Sequence, residues 1–244
     1  MSEPVFPALS DDCLARIAGD MDRQGFGVAV DCISVDHLAS LRLFVERKVA
    51  DAGGEYIALT GLDGVRDTLL GMLASSPEFM QAVRAIYRKG VGEPAPDKPF
   101  YQVLRCLSGR IGERYAYLFH YDSYVVTALV PIIMPSTGRA GDLIMFPNTR
   151  TIRKTYLRNL VDKVLLDNIL TQMAPKRIAT SRTRRPTLVR MRPGNVYFFW
   201  GYRSVHANEP CDHDQIRATA LFHYVNPHAG SRIRRVTTRE APAA

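Results

Sequence analysis

From residue 100 onward the sequence is a series of short runs rich in β-branched and aromatic residues, most of them separated by Gly, Pro, Asn or Asp. Runs of this length and composition are typical of β-strands. They are FYQVLRCL, RYAYLFH, YVVTALVPIIM, DLIMFP, TLVRM, NVYFFWGY, SVHANEP and IRATALFHYV. A parallel sheet needs a helix after nearly every strand, whereas a single helical segment interrupts this series. The pattern therefore predicts antiparallel sheets that form a sandwich or a barrel.

The first 95 residues show helical patterns instead. Two segments, SDDCLARIAGDMDRQGFG and SVDHLASLRLFVERKVADAGG, begin with a serine cap and end at glycines, which predicts two helices. The stretch GFGVAV between them is typical of a short apolar strand. We expect a third helix from Gly64 to Lys89, with a break or a fresh start at Ser76 and Pro77.

Length and composition indicate one domain, because 244 residues with 46% hydrophobic side chains can fill a single core. We therefore predict an α+β domain over residues 1–244, with the N-terminal helices packed on the barrel. Its expected parts are a mainly helical segment at 1–98, a barrel core at 99–226 that carries an insertion at 150–185, and a basic tail at 227–244.

The helical segment in the insertion is KTYLRNLVDKVLLDNILTQM, and it has apolar residues on two nearly opposite sides. A straight helix with this pattern is apolar on both faces, so it must be kinked or lie between the barrel and a second surface. A second copy of the chain is one such surface. We keep a homodimer through this helix as an expectation.

The net charge of the protein indicates which classes of partner it can bind. The formal net charge is +8, and residues 174–194 contain seven cations and no acid. Such a surface attracts acidic metabolites, nucleic acid or anionic lipid headgroups. No helical or zinc-binding nucleic-acid module is recognisable, which favours a small or lipid-linked anion. The candidate substrate contacts are Arg105, Arg182, Arg184 and Arg185, and the alternative is that the basic run is simply a solvated surface.

The four cysteines are scattered and form no CxxC pair, so neither a disulfide framework nor a structural zinc site is indicated. We expect reduced thiols in a cytoplasmic protein. No signal-peptide pattern and no stretch that approaches the length of a transmembrane segment is recognisable.

His120 and Asp122 stand two positions apart in what reads as a strand, so their side chains would share one face. Either these two side chains hydrogen-bond to each other, or together they bind a ligand. His206, at the end of a later strand, could supply a third ligand. Two imidazoles and one carboxylate leave open coordination positions and suit iron(II). His-x-Asp alone is a weak signal, because the pattern often arises by chance, and a single histidine is more often a structural residue than a ligand.

Arg217 strengthens the metal hypothesis. It lies on the strand IRATALFHYV, where Thr219 and Leu221 would share its inward face. A guanidinium on an apolar face is costly unless a carboxylate meets it, and its geometry suits bidentate carboxylate binding. The alternative is an internal ion pair with Asp212 or Asp214.

The order His-x-Asp, a long gap, a distal His and then Arg-x-Thr, over about Phe100 to Val225, resembles the Fe(II)/2-oxoglutarate-dependent dioxygenase superfamily. The resemblance implies a double-stranded β-helix, a jelly-roll or cupin-like barrel. It also implies iron(II), 2-oxoglutarate and dioxygen as cofactor and co-substrates, with release of succinate and CO2. Because an acidic ligand is present, where halogenating relatives carry a small residue, it implies hydroxylation or another oxidative outcome.

The same resemblance assigns the residues. The iron ligands would be His120, Asp122 and His206, and Arg217 would bind the distal carboxylate of 2-oxoglutarate, assisted by the Thr219 hydroxyl. Further candidates for contact with the co-substrate are Thr127, Tyr101 and Gln102.

Two alternatives remain open. A metal-dependent cupin enzyme that does not use 2-oxoglutarate would share the barrel and the histidines but would not need Arg217. A non-catalytic, basic jelly-roll binding module would need neither the metal nor the co-substrate. Bound iron together with succinate formation would exclude the second alternative.

Overall fold

The computed structural model describes residues 4–152 and 186–229. The predicted insertion helix, with Arg182, Arg184 and Arg185, lies outside the described residues, as does the tail beyond residue 229. The homodimer that we expect to form through this helix therefore also depends on residues outside the described ranges. No helix in the two described ranges is long and apolar enough to cross a membrane.

The described part contains five helices and nine strands. The helices are α1 (Asp11–Gln24), α2 (Val35–Asp51), α3 (Leu69–Ser75), α4 (Pro77–Val91) and α5 (Gly109–Arg114). The strands are β1 (Phe26–Ala29), β2 (Ile57–Thr60), β3 (Tyr101–Leu107), β4 (Val126–Ile133), β5 (Leu143–Phe146), β6 (Thr187–Val189), β7 (Val196–Phe199), β8 (Val205–Asn208) and β9 (Arg217–Tyr224).

The N-terminal helices begin and end where capping chemistry predicts. Ser10 and Ser34 accept backbone N–H bonds at the starts of α1 and α2, and Gly25 ends α1 with a φ of 97°. Ser76 separates α3 from α4 and caps the latter. The third helix begins later than predicted, because Thr68, rather than a residue near Gly64, supplies its cap.

All strand pairs are antiparallel, in a six-stranded sheet of order β1-β7-β4-β9-β3-β2 and a three-stranded sheet of order β6-β5-β8. Together they form a double-stranded β-helix, which confirms the predicted α+β class. The helices cover one face of the larger sheet, and the main core lies between them. Its largest fully buried members include Trp200, Phe79, Phe222 and Tyr224.

Alternation along β3 and β9 decides which residues face the barrel interior. Leu104 and Cys106 belong to the core under the helices, as do Ala218 and Phe222. Residues one position away point to the opposite face, toward the smaller sheet. This face carries Arg105 on β3, and Arg217, Thr219, Leu221 and His223 on β9.

One strand prediction in the barrel was wrong, and one strand was not predicted. The run at 114–120 is not a strand, because α5 precedes it and Tyr117, with a φ of 55°, breaks the extended backbone; only His120 forms an isolated bridge, with His206. Strand β2 was not predicted, since its four residues are too few for a recognisable alternation, yet it pairs with β3 at the sheet edge.

Candidate metal centre

Backbone pairing brings the two predicted histidine ligands together. His120 and His206 exchange N–H···O=C bonds of 3.0 Å each, and their ring centroids lie 4.5 Å apart. Asp122 is held two residues further on, because its N–H donates to the carbonyl of Gly201 at 2.9 Å. The geometry that a continuous strand was expected to provide therefore comes from one bridge and one loop hydrogen bond.

The three side chains converge on one point. The Nε2 atoms of His206 and His120 lie 3.5 Å and 3.7 Å from Oδ1 of Asp122. One ligand atom from each residue lies within 4.8 Å of the others, and no other group of this kind occurs in the described residues. Two imidazoles and one carboxylate are the ligand set that suits iron(II) with open coordination positions.

Hydrogen bonds fix which imidazole nitrogen faces the centre. Nδ1 of His120 lies 2.9 Å from the carbonyl oxygen of Leu118, and Nδ1 of His206 lies 3.0 Å from that of Ser204. A carbonyl only accepts, so Nδ1 carries the proton in both rings and each Nε2 lone pair points toward Asp122. Backbone carbonyls often orient metal-binding histidines in this way. The donor set therefore fits a metal ion.

The pKa values of the three candidate ligands are shifted in different directions by their surroundings. Burial and the neighbouring His206 lower the pKa of His120 to about 4. Burial also acts to lower the pKa of His206, but the adjacent Asp122 carboxylate outweighs it and raises that pKa above its usual value. Burial would raise the pKa of Asp122, yet His206, His223 and His120 hold it well below its usual range. The carboxylate is thus ionised, ready to bind a cation.

The outer oxygen of Asp122 has its own support, which the sequence reading missed. Thr127 Oγ1 donates to Asp122 Oδ2 at 2.5 Å and lies 3.0 Å from Nδ1 of His223. Because the hydroxyl proton goes to Asp122, the Nδ1–H of His223 donates to the Thr127 oxygen. The period-two alternation from Arg217 could have placed His223 on the inward face. Gly201 leaves room for this contact, since a Cβ there would lie 2.2 Å from Asp122 Oδ2.

A pocket extends from the histidines into the barrel. It is lined by Arg105, His120, Leu129, Leu143, Phe199, His206, Ala207, Asn208, Arg217, Thr219 and Leu221. The two predicted histidine ligands thus line the same pocket as two guanidinium groups, together with apolar side chains.

Arg217 is almost completely buried, with 1% of its surface exposed. Its guanidinium donates to Asn208 Oδ1 at 2.9 Å and to Thr219 Oγ1 at 3.1 Å, while its Nε has no partner. No ion pair joins it to an acid in residues 4–152 or 186–229, and Asp212 pairs with Arg139 instead. Burial, followed by the charge of Arg105, lowers the pKa of Arg217 to about 9. A ligand carboxylate would satisfy this group.

The remaining predicted residues lie at different depths. Thr127 contacts Asp122, as described. Tyr101 is 43% exposed and stacks on Tyr124 at 5.5 Å. Gln102 is fully buried on the helix-facing side of β3, with its amide oriented to donate to the Gly61 carbonyl, so it does not line the pocket. Arg105 does line it.

No protein-family model matches the sequence, and neither does any curated protein. Solved structures do match. A Pseudomonas putida prolyl-4-hydroxylase is 13% identical, with a TM-score of 0.56 over 87% of this chain and 99% of that one. EctD from S. alaskensis with bound Fe is 17% identical, with a TM-score of 0.59 over 91% and 81% of the two chains.

A third match is a Trichoplax adhaerens prolyl hydroxylase in complex with a peptide fragment of hypoxia inducible factor. It is 10% identical, with a TM-score of 0.59 over 95% of this chain and 94% of that one. A 2OG-Fe(II) oxygenase family protein from Burkholderia pseudomallei also matches, at 11% identity and a TM-score of 0.50. The chain therefore has the fold of the Fe(II)/2-oxoglutarate-dependent oxygenase superfamily.

Proposed function

We propose that the chain is an Fe(II)- and 2-oxoglutarate-dependent oxygenase that hydroxylates an anionic small-molecule or lipid-linked substrate, with release of succinate and CO2. One observation carries the proposal. Two histidines of a histidine–aspartate–histidine group line the same pocket as a buried arginine that has no acidic partner in residues 4–152 or 186–229. The related structures, which include an EctD structure with bound Fe, support the assignment.

The chain's own residues perform binding and orientation in this proposal. His120, Asp122 and His206 hold iron(II), while Arg217 and Thr219 receive the distal carboxylate of 2-oxoglutarate. Iron with 2-oxoglutarate and dioxygen supplies the oxidising power when bound. Apolar side chains such as Leu129, Phe199 and Leu221 line the pocket beside the centre and would limit the access of water to a bound co-substrate. Thr127 keeps Asp122 oriented through its outer oxygen.

Arg217 also supports the oxygenase over the alternatives. A cupin enzyme without 2-oxoglutarate has no use for a buried guanidinium, and an unpaired charge in this position destabilises the fold unless a ligand meets it. A simple binding module would not need two histidines with their Nε2 atoms directed at one carboxylate. Both observations favour the oxygenase.

The position of the insertion supports an anionic substrate. The chain that leads into it is attached beside the metal centre, since Thr149 Oγ1 lies 2.9 Å from the hydroxyl of Tyr121. The chain that leaves it begins β6, where Thr187 pairs with Met145, and Met145 also pairs with His206. Both ends therefore lie near the ligands. The basic run of residues 174–194 begins in the insertion, and its charge would attract an acid.

We also propose a cytoplasmic location, since all four cysteines are free thiols and thiols persist in reducing compartments.

Anaerobic binding measurements test the catalytic assignment. Metal-depleted protein is titrated with iron(II), and the iron-loaded protein is then titrated with 2-oxoglutarate. Arg217→Ala should weaken 2-oxoglutarate binding by about 2–5 kcal/mol, the cost of truncating one partner of a buried charged hydrogen-bonded pair, and should leave iron binding intact. Arg66→Ala, which changes an exposed arginine, is the control. Unchanged 2-oxoglutarate binding in Arg217→Ala would favour the cupin alternative.

The substrate class needs a separate measurement. A screen of carboxylates and phosphate esters that follows succinate release identifies compounds that stimulate turnover. Reversal of Arg182, Arg184 and Arg185 to Glu should raise the Michaelis constant for the best acid and leave basal 2-oxoglutarate turnover nearly unchanged. A stimulating compound without any acidic group would contradict the anionic-substrate proposal.

A further inference from the structure

Arg105 is a second cation in the same pocket. Like Arg217, it forms no ion pair with an acid in the described ranges, and its buried Nε has no hydrogen-bond partner. Other arginines, such as Arg139 and Arg203, have carboxylates beside them. Two guanidinium groups without acids in one barrel pocket are costly unless a ligand brings more than one negative charge.

Strand register places Arg105 closer to the metal ligands than Arg217. Across the β3–β9 pair, Arg105 lies opposite Thr219, whereas Arg217 lies opposite Leu107 at the far end. The inward face of β9 then runs through Leu221 to His223, whose Nδ1 is 3.6 Å from Asp122 Oδ2. Two residues of a strand span roughly 7 Å. The backbone of Arg105 is therefore one inward position, roughly 7 Å, nearer to the metal centre.

Two tyrosine rings hold the Arg105 side chain. Its guanidinium carbon lies 5.8 Å from the ring centroid of Tyr56 and 5.5 Å from that of Tyr115, and the two rings stack at 4.1 Å. Contacts with aromatic faces stabilise a cation without neutralising it. The positive charge of Arg105 is thus held in place and available to an anion in the pocket.

A dicarboxylate supplies the matching charges. Arg217, with Thr219, accounts for one carboxylate at the end of the pocket away from the metal. We propose that Arg105 binds the second carboxylate of 2-oxoglutarate, the one next to the keto group at the metal end. This inference rests on the proposed function, and it adds a specific contact for 2-oxoacids that the ligand set alone does not provide.

Two ligands separate the roles of the arginines. The first is 2-oxoglutarate, and the second is 2-oxobutyrate, which keeps the 2-oxoacid group but lacks the distal carboxylate. Calorimetric titration of the iron(II)-loaded protein without oxygen gives both affinities. Arg105→Gln should weaken both ligands by a similar factor, on the order of 10–100-fold, because a charged hydrogen bond is lost in each case. Arg217→Gln should weaken 2-oxoglutarate only.

Controls distinguish a loss of ligand binding in Arg105→Gln from a loss of folding. The iron affinity and the unfolding temperature of Arg105→Gln should match those of Arg66→Gln, an exposed-arginine control. If Arg105→Gln does not fold, Arg105→Lys serves instead. It keeps the charge but cannot form two parallel hydrogen bonds, so it should still weaken both ligands several-fold.

The alternative outcomes are distinct. If Arg105→Gln weakens 2-oxoglutarate but not 2-oxobutyrate, Arg105 belongs to the distal carboxylate and the assignment is overturned. If neither affinity changes, the assignment is also overturned, and Arg105 remains available to the primary substrate. Failure of the unmodified protein to bind 2-oxoglutarate would instead refute the proposed function itself.

Discussion

Gly201→Ala should abolish most of the metal affinity while leaving the fold in place. A Cβ at this position would lie 2.2 Å from Asp122 Oδ2 and 2.6 Å from Thr127 Oγ1, and real Cβ contacts do not fall below 3.0 Å. The carboxylate must therefore move away, because the backbone of Gly201 is fixed by its hydrogen bond to Asp122 N. Metal–ligand distances tolerate changes of only about 0.2 Å.

The size of the effect on thermal stability can be worked out, because metal binding and folding are thermodynamically coupled. Disturbed support of a metal ligand typically costs about 10–100-fold in metal affinity. At a free metal concentration about 100 times the wild-type Kd, the metal stabilises the protein by about 2.7 kcal/mol, and a 100-fold loss of affinity reduces this to about 0.4 kcal/mol. For a domain of this size the metal-induced rise in Tm should fall from roughly 5–11 °C to about 1–2 °C.

Thermal unfolding with and without iron(II), or with cobalt(II) as an oxygen-stable substitute, measures the effect. Gly19→Ala is the matched control, because a Cβ there meets no atom within 4 Å and the glycine lies inside α1. That variant should keep the full metal-induced shift and gain a few tenths to about 1 kcal/mol from helix propensity. A metal affinity for Gly201→Ala within threefold of the wild type would refute the steric argument.

Three further predictions concern the same centre and the core. Thr127→Val should weaken metal binding by about 10-fold or more, and Thr127→Ser should restore most of it, since only the serine can donate to Asp122; equal affinities for the two variants would contradict this. Near pH 5, metal binding should release close to one proton, about half of what two ordinary histidines would release there. The raised pKa of His206 keeps its imidazole protonated at this pH, so metal binding displaces that proton and the affinity falls as the pH drops, whereas His120, with a pKa of about 4, is already neutral. Iodoacetamide at pH 8 should modify Cys13 first in the native protein, because Cys106 is fully buried and burial raises the pKa of its thiol to about 12; early labelling of Cys106, read by mass spectrometry, would argue against the described core.

The sequence predicted the barrel well, because most of its strands are long enough to show composition and alternation. It failed where tertiary contacts decide the backbone. The aromatic run before His120 looks like a strand, but Tyr115 leaves it to stack on Tyr56, and Tyr117 adopts a positive φ. Strand β2 is formed through its pairing with the edge of β3, and its own sequence does not indicate a strand. Neither effect is visible in local patterns.

The three candidate metal ligands and Arg217 were predicted from residue order, and the structure places the three ligands together and lines one pocket with His120, His206 and Arg217. The residues that support Asp122 were not predicted in that role: Thr127 was predicted as a co-substrate contact, and His223 and Gly201 were not predicted as site residues. Thr127, His223 and Gly201 come from three distant segments, and their roles depend on the strand register between β4, β7 and β9. Gln102 was predicted as a co-substrate contact, but the same alternation directs it to the helix side of β3.

The most direct test of the central claim is succinate formation by the purified protein. Iron(II)-loaded protein is incubated with 2-oxoglutarate in the presence of oxygen, and succinate is quantified by mass spectrometry. Succinate should accumulate over many turnovers, should require both iron(II) and oxygen, and should disappear in Asp122→Ala, while Arg66→Ala behaves as the wild type. Protein that binds iron(II) at this centre but forms no succinate, with or without candidate acids, would contradict the account.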